Sequence, residues 1–190
     1  TLDVEGLGKV PVSLVDAATP MVFVGANALG MTATESPVAL DADHRTKARL
    51  ESIRCAGAVR MGMANRPEDT GLASPRIAIC AAPTPFTNLS GETVNAAAQD
   101  ITVRVISSGD THRESPLTSA MCLGAACQIT GTLPHQLVTT NDGEVRVGNP
   151  SGVLIVGAHV VHEGDAWHVV STRSFRTQRR LMEGSVLISV

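Results

Sequence analysis

The hydrophobic pattern divides the chain into short strands and two helices. Residues 10–16 (VPVSLVD) alternate apolar and polar positions, as a half-buried strand does. Asp16, Ala17, Ala18, Thr19 and Pro20 interrupt it, and residues 21–24 (MVFV) resume as a continuous apolar strand. A polar connection over 32–43 follows. Asp43 is placed to cap a helix from His44 to about Met63. Its apolar face is Ala48, Leu50, Ile53, Cys55, Ala56, Val59 and Met61; Arg45, Lys47, Arg49, Glu51 and Arg54 occupy much of the rest. Residues 65–75 read as a loop, 76–81 (RIAICA) as a strand, and 83–91 as turn-rich.

Residues 101–131 are the most informative stretch: a β-branched strand (ITVRVISSG), a polar loop (DTHRES), a helix (PLTSAMCLGAACQIT) and a closing Gly131. Ser115 is suited to cap the helix, with Pro116 at its first position, where a missing N–H costs nothing. The helix is apolar on every side, so it is expected to be buried, and its small side chains let other backbones come close. Its positive end faces Ser107, Ser108, Gly109, Asp110, Thr111, His112 and Arg113. That is either an anion site or a capped structural helix under a surface loop, and this segment alone weighs the two evenly.

Beyond Gly131 the pattern predicts a strand around Val138, a hairpin turn at Asn141-Asp142-Gly143, and strands over 144–147 and 153–156. A last hairpin would pair 167–175 with 181–190 around an Arg-rich turn. Two helices among eight to ten strands, without βαβ alternation, predict an α+β fold class, with residues 1–190 as a single domain.

Composition narrows the function classes. Aromatics are scarce (three Phe, one Trp, no Tyr), so the core must be built from Val, Leu, Ile, Ala and Met. Single-stranded nucleic acid, which relies on stacking, is disfavoured. The net charge of −3, without a long charged run, argues against nucleic acid and anionic membrane as partners. No stretch has the length of a membrane span, and no signal peptide is visible. Cys55, Cys80, Cys122 and Cys127 form no C-x-x-C pair and none sits near a His at ligand spacing. They are expected to be buried free thiols in a reducing cytoplasm, and no metal site is expected. Arg173, Arg176, Arg179 and Arg180 crowd the C-terminal region, as a solvated strand edge or, for one or two of them, a grip on carboxylates. The chain opens at Thr1 directly in a strand-like pattern, which suggests a fragment or a processed product.

Five segments, in order, carry a resemblance over almost the whole chain: VSLVDAATPMVFV (12–24), RLESIRCAGAVRMGM (49–63), VRVISSGDTH (103–112), VRVGNPSGVLIVGA (145–158) and RTQRRLMEGSVLI (176–188). They resemble the methylaconitate/methylitaconate cis-trans isomerase family of PrpF type, within the diaminopimelate-epimerase-like fold. Relatives are about twice as long, and these segments belong to their second half. The resemblance therefore implies the C-terminal half of a two-domain isomerase, with the N-terminal half absent from this chain. It also implies a curved, mostly antiparallel sheet wrapped around a buried central helix, here 116–130. The active site would lie between the halves, at the N-terminal ends of the two central helices.

The chemistry implied is proton transfer beside a conjugated carboxylate, moving a double bond in an unsaturated di- or tricarboxylate without a cofactor. Such a reaction needs an acid and a base in reach of the carbon and donors for the dienolate oxygens. In epimerases of this fold the central helix of each half starts with a catalytic cysteine. Aligned on Gly124-Ala125, TSAMCLGAA (118–126) places Met121 there, with Cys122 adjacent and pointing elsewhere. Met cannot transfer a proton, so no catalytic residue is expected in this half. In the PrpF-type branch a lysine and a cysteine of the first half handle protons.

This half would then position substrate. Candidates are Ser107, Ser108, Gly109 and His112 in the loop, Thr118 and Met121 on the helix, and Asp16, Thr19 and Pro20 opposite. Typical relatives have Asn in place of Thr19 and His in place of Asn149. Each candidate has a plainer reading. Ser107 and Ser108 could simply end a strand, and His112 could be an exposed loop residue. Thr118 could bond backbone in the first turn, and Asn149 to Ser151 could form a tight turn. Arg176 either braces the sheet rim or contacts a carboxylate. Two other functions fit: a non-catalytic carboxylate-binding or structural domain, and an oxalomesaconate-type keto-acid tautomerase. A bare cleft face would favour self-association into a homo-oligomer, or a retained N-terminal fragment.

Overall fold

One curved sheet organises the molecule, with a helix layer on each face. The structure, a computed structural model, describes residues 1–140, 142–175 and 180–188. Strands β1 (Leu2–Val4) and β2 (Gly8–Val10) form a small hairpin, followed by β3 (Val12–Ala17) and β4 (Thr19–Gly25). Helices α1 (Ala26–Leu29), α2 (Pro37–Ala42) and α3 (His44–Arg60) lead to β5 (Arg76–Ala81). A second hairpin, β6 (Phe86–Thr87) with β7 (Thr93–Val94), precedes β8 (Ile101–Ser107) and β9 (Asp110–Thr111). Then come α4 (Leu117–Gln128), α5 (Leu133–Leu137), β10 (Glu144–Asn149), β11 (Gly152–Glu163) and β12 (Ala166–Ser174).

The main sheet runs β12-β11-β10-β8-β5-β4-β3, with β9 on β8. Among the described residues only β4 with β5 and β10 with β8 pair in parallel; the other pairings of this sheet are antiparallel. Period-two alternation splits the strands between two cores. Met21, Phe23, Ala78, Cys80, Val103, Val105, Val145 and Val147 pack around α4. Val22, Val24, Ile77, Ile79 and Ile106 pack against the α1–α3 side. Helix α4 is buried along most of its length, as its all-apolar sequence requires. Its small residues let the sheet close in: a Cβ on Gly124 would stand 3.3 Å from Val156 Cγ2.

Several expectations need correction. The two parallel pairings are βαβ crossovers, one through α1–α3 and one through α4–α5, where no such alternation was expected. The connection over 32–43 contains α2, capped by Ser36 Oγ accepting from Ala39 N at 3.1 Å; its six residues are too few for a clear period. Asp43 does cap α3, accepting from Thr46 N at 3.0 Å. Arg54, read as part of the polar face, is only 2 % exposed, because its guanidinium is fully engaged by Glu51 and two backbone carbonyls. Around Val138 there is no strand; α5 stands there, capped by Thr132. The Asn141 corner of the expected turn lies outside the described residues. Finally, β12 pairs with β11 through a reversal at Gly164 (φ 60°), not with the C-terminal segment. Residues 180–188 form no strand, and Leu187 is 96 % exposed.

Candidate functional site

The parallel start of β4 and β5 (Met21 opposite Arg76) and the antiparallel end of β8 (Ile106 opposite Ile77) fall at one end of the sheet. Arg76 reaches the first turn of α4, so the central helix begins at that same end. The β3–β4 turn closes there too, with Ala18 at φ 68°.

Strand β8 returns as β9 through a two-residue turn in which Ser108 (φ 52°) and Gly109 (φ 86°) are both left-handed. That is the backbone of a type I′ hairpin, which favours glycine at such a position. The two exposed turn residues thereby reverse the chain, and His112 N donates to Val105 O at 2.9 Å. His112 is carried back over the strand end, its Nε2 2.6 Å from Ser107 Oγ. Partial burial, and then the positive charge of Arg76, push the imidazole pKa down, with Asp110 opposing. Both effects favour the neutral imidazole.

Helix α4 starts one residue later than expected. Pro116 is extended (φ −56°, ψ 142°) and holds the cap position, its carbonyl accepting from Ala120 N at 2.9 Å. Proline brings no side-chain acceptor, and among the described residues no side-chain cap hydrogen bond closes the start of α4. Ser115, displaced outward, has its hydroxyl buried without a partner among the described residues. Among the described residues nothing accepts from the N–H groups of Leu117, Thr118 and Ser119, which leaves them open to an anion.

The first turn of α4 presents exposed Leu117, half-buried Thr118 and, one turn on, half-buried Met121 on one side. Cys122 points the other way: its thiol is fully buried and donates to Val15 O at 3.5 Å. Burial pushes the Cys122 and Cys80 thiols up to about 12, and Cys127 well above its ordinary value. Cys55, half-buried, is raised by burial and by Glu51. None of the four is a thiolate at neutral pH, and all are free of disulfides.

Ser107, His112 and Thr118 thus lie at one end of the sheet: Ser107 pairs with His112, Arg76 bonds Thr118, and the charge of Arg76 is felt at His112. Thr19 starts β4 at that end, on the inward alternation of Met21 and Phe23. Asp16 and Pro20 turn the other way and line a cavity of about 430 Å³ with Arg60, Met61 and Met63. Asp16 also borders a second cavity, of about 480 Å³, between the β3–β4 turn and β12. Asn149 and Ser151 make the β10–β11 turn, Asn149 Oδ1 accepting from Ser151 N at 3.2 Å; Ser151 Oγ donates to Arg113 O at 2.7 Å, tying that turn to the loop before α4. Of the C-terminal arginines, Arg176 and Arg179 lie outside the described residues. Arg173 and Arg180 form exposed ion pairs with Glu144 and Glu183.

Sequence reasoning missed Arg76. Its Nη1 donates to Thr118 Oγ1 at 3.1 Å and to Ser119 Oγ at 2.8 Å, across more than forty residues. The one local signal was a lone basic residue heading an apolar strand. Among the described residues no group of three or more His, Cys, Asp or Glu could hold a metal ion, and no helix is long and apolar enough to cross a membrane.

The family described as PrpF protein matches residues 1–189. A 2-methyl-aconitate isomerase of Shewanella oneidensis is 36 % identical over 98 % of this chain and 48 % of its own length. A 3-methylitaconate isomerase of Eubacterium barkeri is 33 % identical over 95 % of this chain and 48 % of its own length. The crystal structure of a methylitaconate-delta-isomerase superposes with a TM-score of 0.79 at 30 % identity, covering 92 % of this chain and 48 % of that one. The chain spans about half the length of the relatives it matches.

Proposed function

The chain belongs to the PrpF protein family, and from that membership we propose that it is one half of an isomerase that moves a double bond in an unsaturated di- or tricarboxylate. Substrates of the 2-methylaconitate or methylitaconate kind fit the reading. The observation that carries it is the convergence, at one sheet end, of the uncapped first turn of α4, Thr118 and the Ser107–His112 pair.

The reaction removes a proton from an allylic carbon, shifts the double bond by one position through a dienolate, and returns a proton at the far end of the system. Negative charge accumulates on a carboxylate during the step. Fixed N–H and O–H donors stabilise that charge without reorganising. In this reading Ser107, Ser108, Gly109, His112, Thr118 and Met121 frame the substrate from this half, with Thr19 on the opposite rim, whereas Asp16 and Pro20 face the separate cavity beside Arg60 and stand apart from it. The proton-handling residues belong to the other half, since Cys122 is a buried thiol facing Val15 and Met121 carries no transferable proton.

We also read residues 1–190 as a single domain whose partners are the carboxylate substrate, the other half and, through a bare cleft face, further copies. Four free cysteines suit a cytoplasmic location. The test is turnover of 2-methylaconitate, methylitaconate and oxalomesaconate by the intact protein, followed by double-bond migration and deuterium uptake. No migration or exchange on any of the three would overturn the isomerase reading. Saturable aconitate binding without migration would replace it with a carboxylate-binding module.

A further inference from the structure

Arg76 follows the alternation that sends Ala78 and Cys80 toward α4 and Ile77 and Ile79 to the outer core, so it faces the inner side where α4 begins. Its Nη1 is held by Thr118 and Ser119, whose hydroxyls accept at 3.1 and 2.8 Å. Three other arginines show how this chain uses the opposite edge of the guanidinium. In Arg54, Arg66 and Arg146, Nε and Nη2 grip the two oxygens of Glu51, Asp69 and Asp100 side-on. In Arg76 that same edge meets no acceptor, and no carboxylate lies within ion-pair distance, among the described residues.

A half-buried guanidinium fixed at one nitrogen, with its bidentate edge unengaged, is set to receive a planar anion. Its neighbours agree. The first turn of α4 has no acidic residue and no side-chain cap, and the Ser115 hydroxyl beside it is 3 % exposed and unpartnered among the described residues. The Ser107–His112 pair adds a hydroxyl and an imidazole to the same end of the sheet.

We propose that Arg76 is the carboxylate anchor of this half: its Nε–Nη2 edge takes one carboxylate of the substrate side-on, while Thr118 and Ser119 hold the guanidinium in register. The identity of the acid rests on the isomerase reading above; the anchoring of a carboxylate does not. Fixing one carboxylate sets where the allylic carbon sits relative to the other half. It also selects against analogues in which that carboxylate is an amide.

The test uses the intact protein, its Arg76→Gln and Arg76→Lys variants, and two probes. Tricarballylate, a saturated tricarboxylate that has no double bond to move, reports binding by calorimetry; the three unsaturated acids report turnover. Loss of a bidentate, charge-assisted pair should weaken tricarballylate about ten- to a hundredfold in Arg76→Gln. KM should rise in parallel, and the preference for tricarballylate over its monoamide should shrink. Arg76→Lys keeps the charge but not the fork, so it should bind more weakly than wild type at an unchanged melting temperature; it decides the matter if Arg76→Gln does not fold. Tricarballylate affinity within about twofold of wild type in the folded variants, or no binding by wild type, would overturn the anchor. Arg76-dependent binding with no double-bond migration would sink the isomerase reading alone. Migration with KM and affinity indifferent to Arg76 would sink the anchor alone.

Discussion

Ser107 Oγ and His112 Nε2 stand 2.6 Å apart across a two-residue turn whose residues both have positive φ. The turn brings the imidazole back to the strand it has just left, at the end of the sheet where α4 begins. Replacing either side chain by alanine should leave the fold intact, because neither is part of a core cluster. One hydrogen bond is worth about 1 kcal/mol, so turnover by Ser107→Ala in the intact protein should fall about three- to tenfold, with His112→Ala at least as low. Wild-type kinetics in both variants would remove the pair from the site.

Acid should destabilise the domain in two windows. The folded pKa of His112 is lowered by burial and by Arg76, so its contribution is fully present above the ordinary imidazole value of about 6.5. That contribution is lost as pH falls through the folded pKa. Asp100 behaves alike, lower on the scale. Burial raises its pKa, but hydrogen bonds from Arg146 and Thr139 outweigh that, and the net shift is downward. Its stabilisation is present above about pH 3.9 and disappears as pH falls through the depressed value. Urea melts across pH 3–8 should show the upper step vanish in His112→Ala and the lower one shrink in Asp100→Asn. An unchanged profile in Asp100→Asn would mean that the Asp100–Arg146 pair is not what acid breaks.

Arg54 should be a stability residue with a functional echo. Its Nη1 donates to Gly71 O at 2.9 Å and Pro75 O at 3.1 Å, holding the loop that delivers Arg76. Arg54→Leu would leave two carbonyls without that donor and cost about 2–4 kcal/mol of unfolding free energy. Tricarballylate affinity should fall as well, since Pro75 directly precedes Arg76. A urea midpoint equal to wild type would contradict the buried contacts.

Thiol labelling provides an independent check on the packing of α4. At pH 8 the native chain should react with a disulfide reagent at Cys55 first, and slowly, because even that thiol is raised. Cys80, Cys122 and Cys127 should label only on unfolding. Peptide mapping that finds Cys122 modified at a free-thiol rate in the folded chain would contradict its burial against Val15.

Local pattern was enough for the elements whose burial is uniform. The sequence 117–128 makes a central helix because its polar residues, Thr118, Ser119 and Gln128, sit only at its two ends, and RIAICA and ITVRVIS alternate into the two cores that the sheet separates. The capping of α3 by Asp43 was legible because a cap is a contact three residues long. Ser107 and His112 stood out for the same reason: they lie in one loop before one helix.

Competition between local signals, and contacts remote in sequence, decided the rest. Ser115 and Pro116 both suit a helix start, and the extended backbone of Pro116 moved the cap past the serine. The arginine of α3 that reads as solvated, Arg54, is buried because carbonyls from the following loop meet it. The C-terminal stretch 181–188 reads as a strand in sequence, yet β12 pairs with β11 through the turn at Gly164 and 181–188 form no strand. Arg76 is the clearest case. The sequence by itself determined a strand headed by a basic residue and a buried helix with hydroxyls in its first turn. Only the tertiary structure decided that they touch, because the hydrogen bonds that orient the guanidinium come from residues more than forty positions away and follow no periodicity.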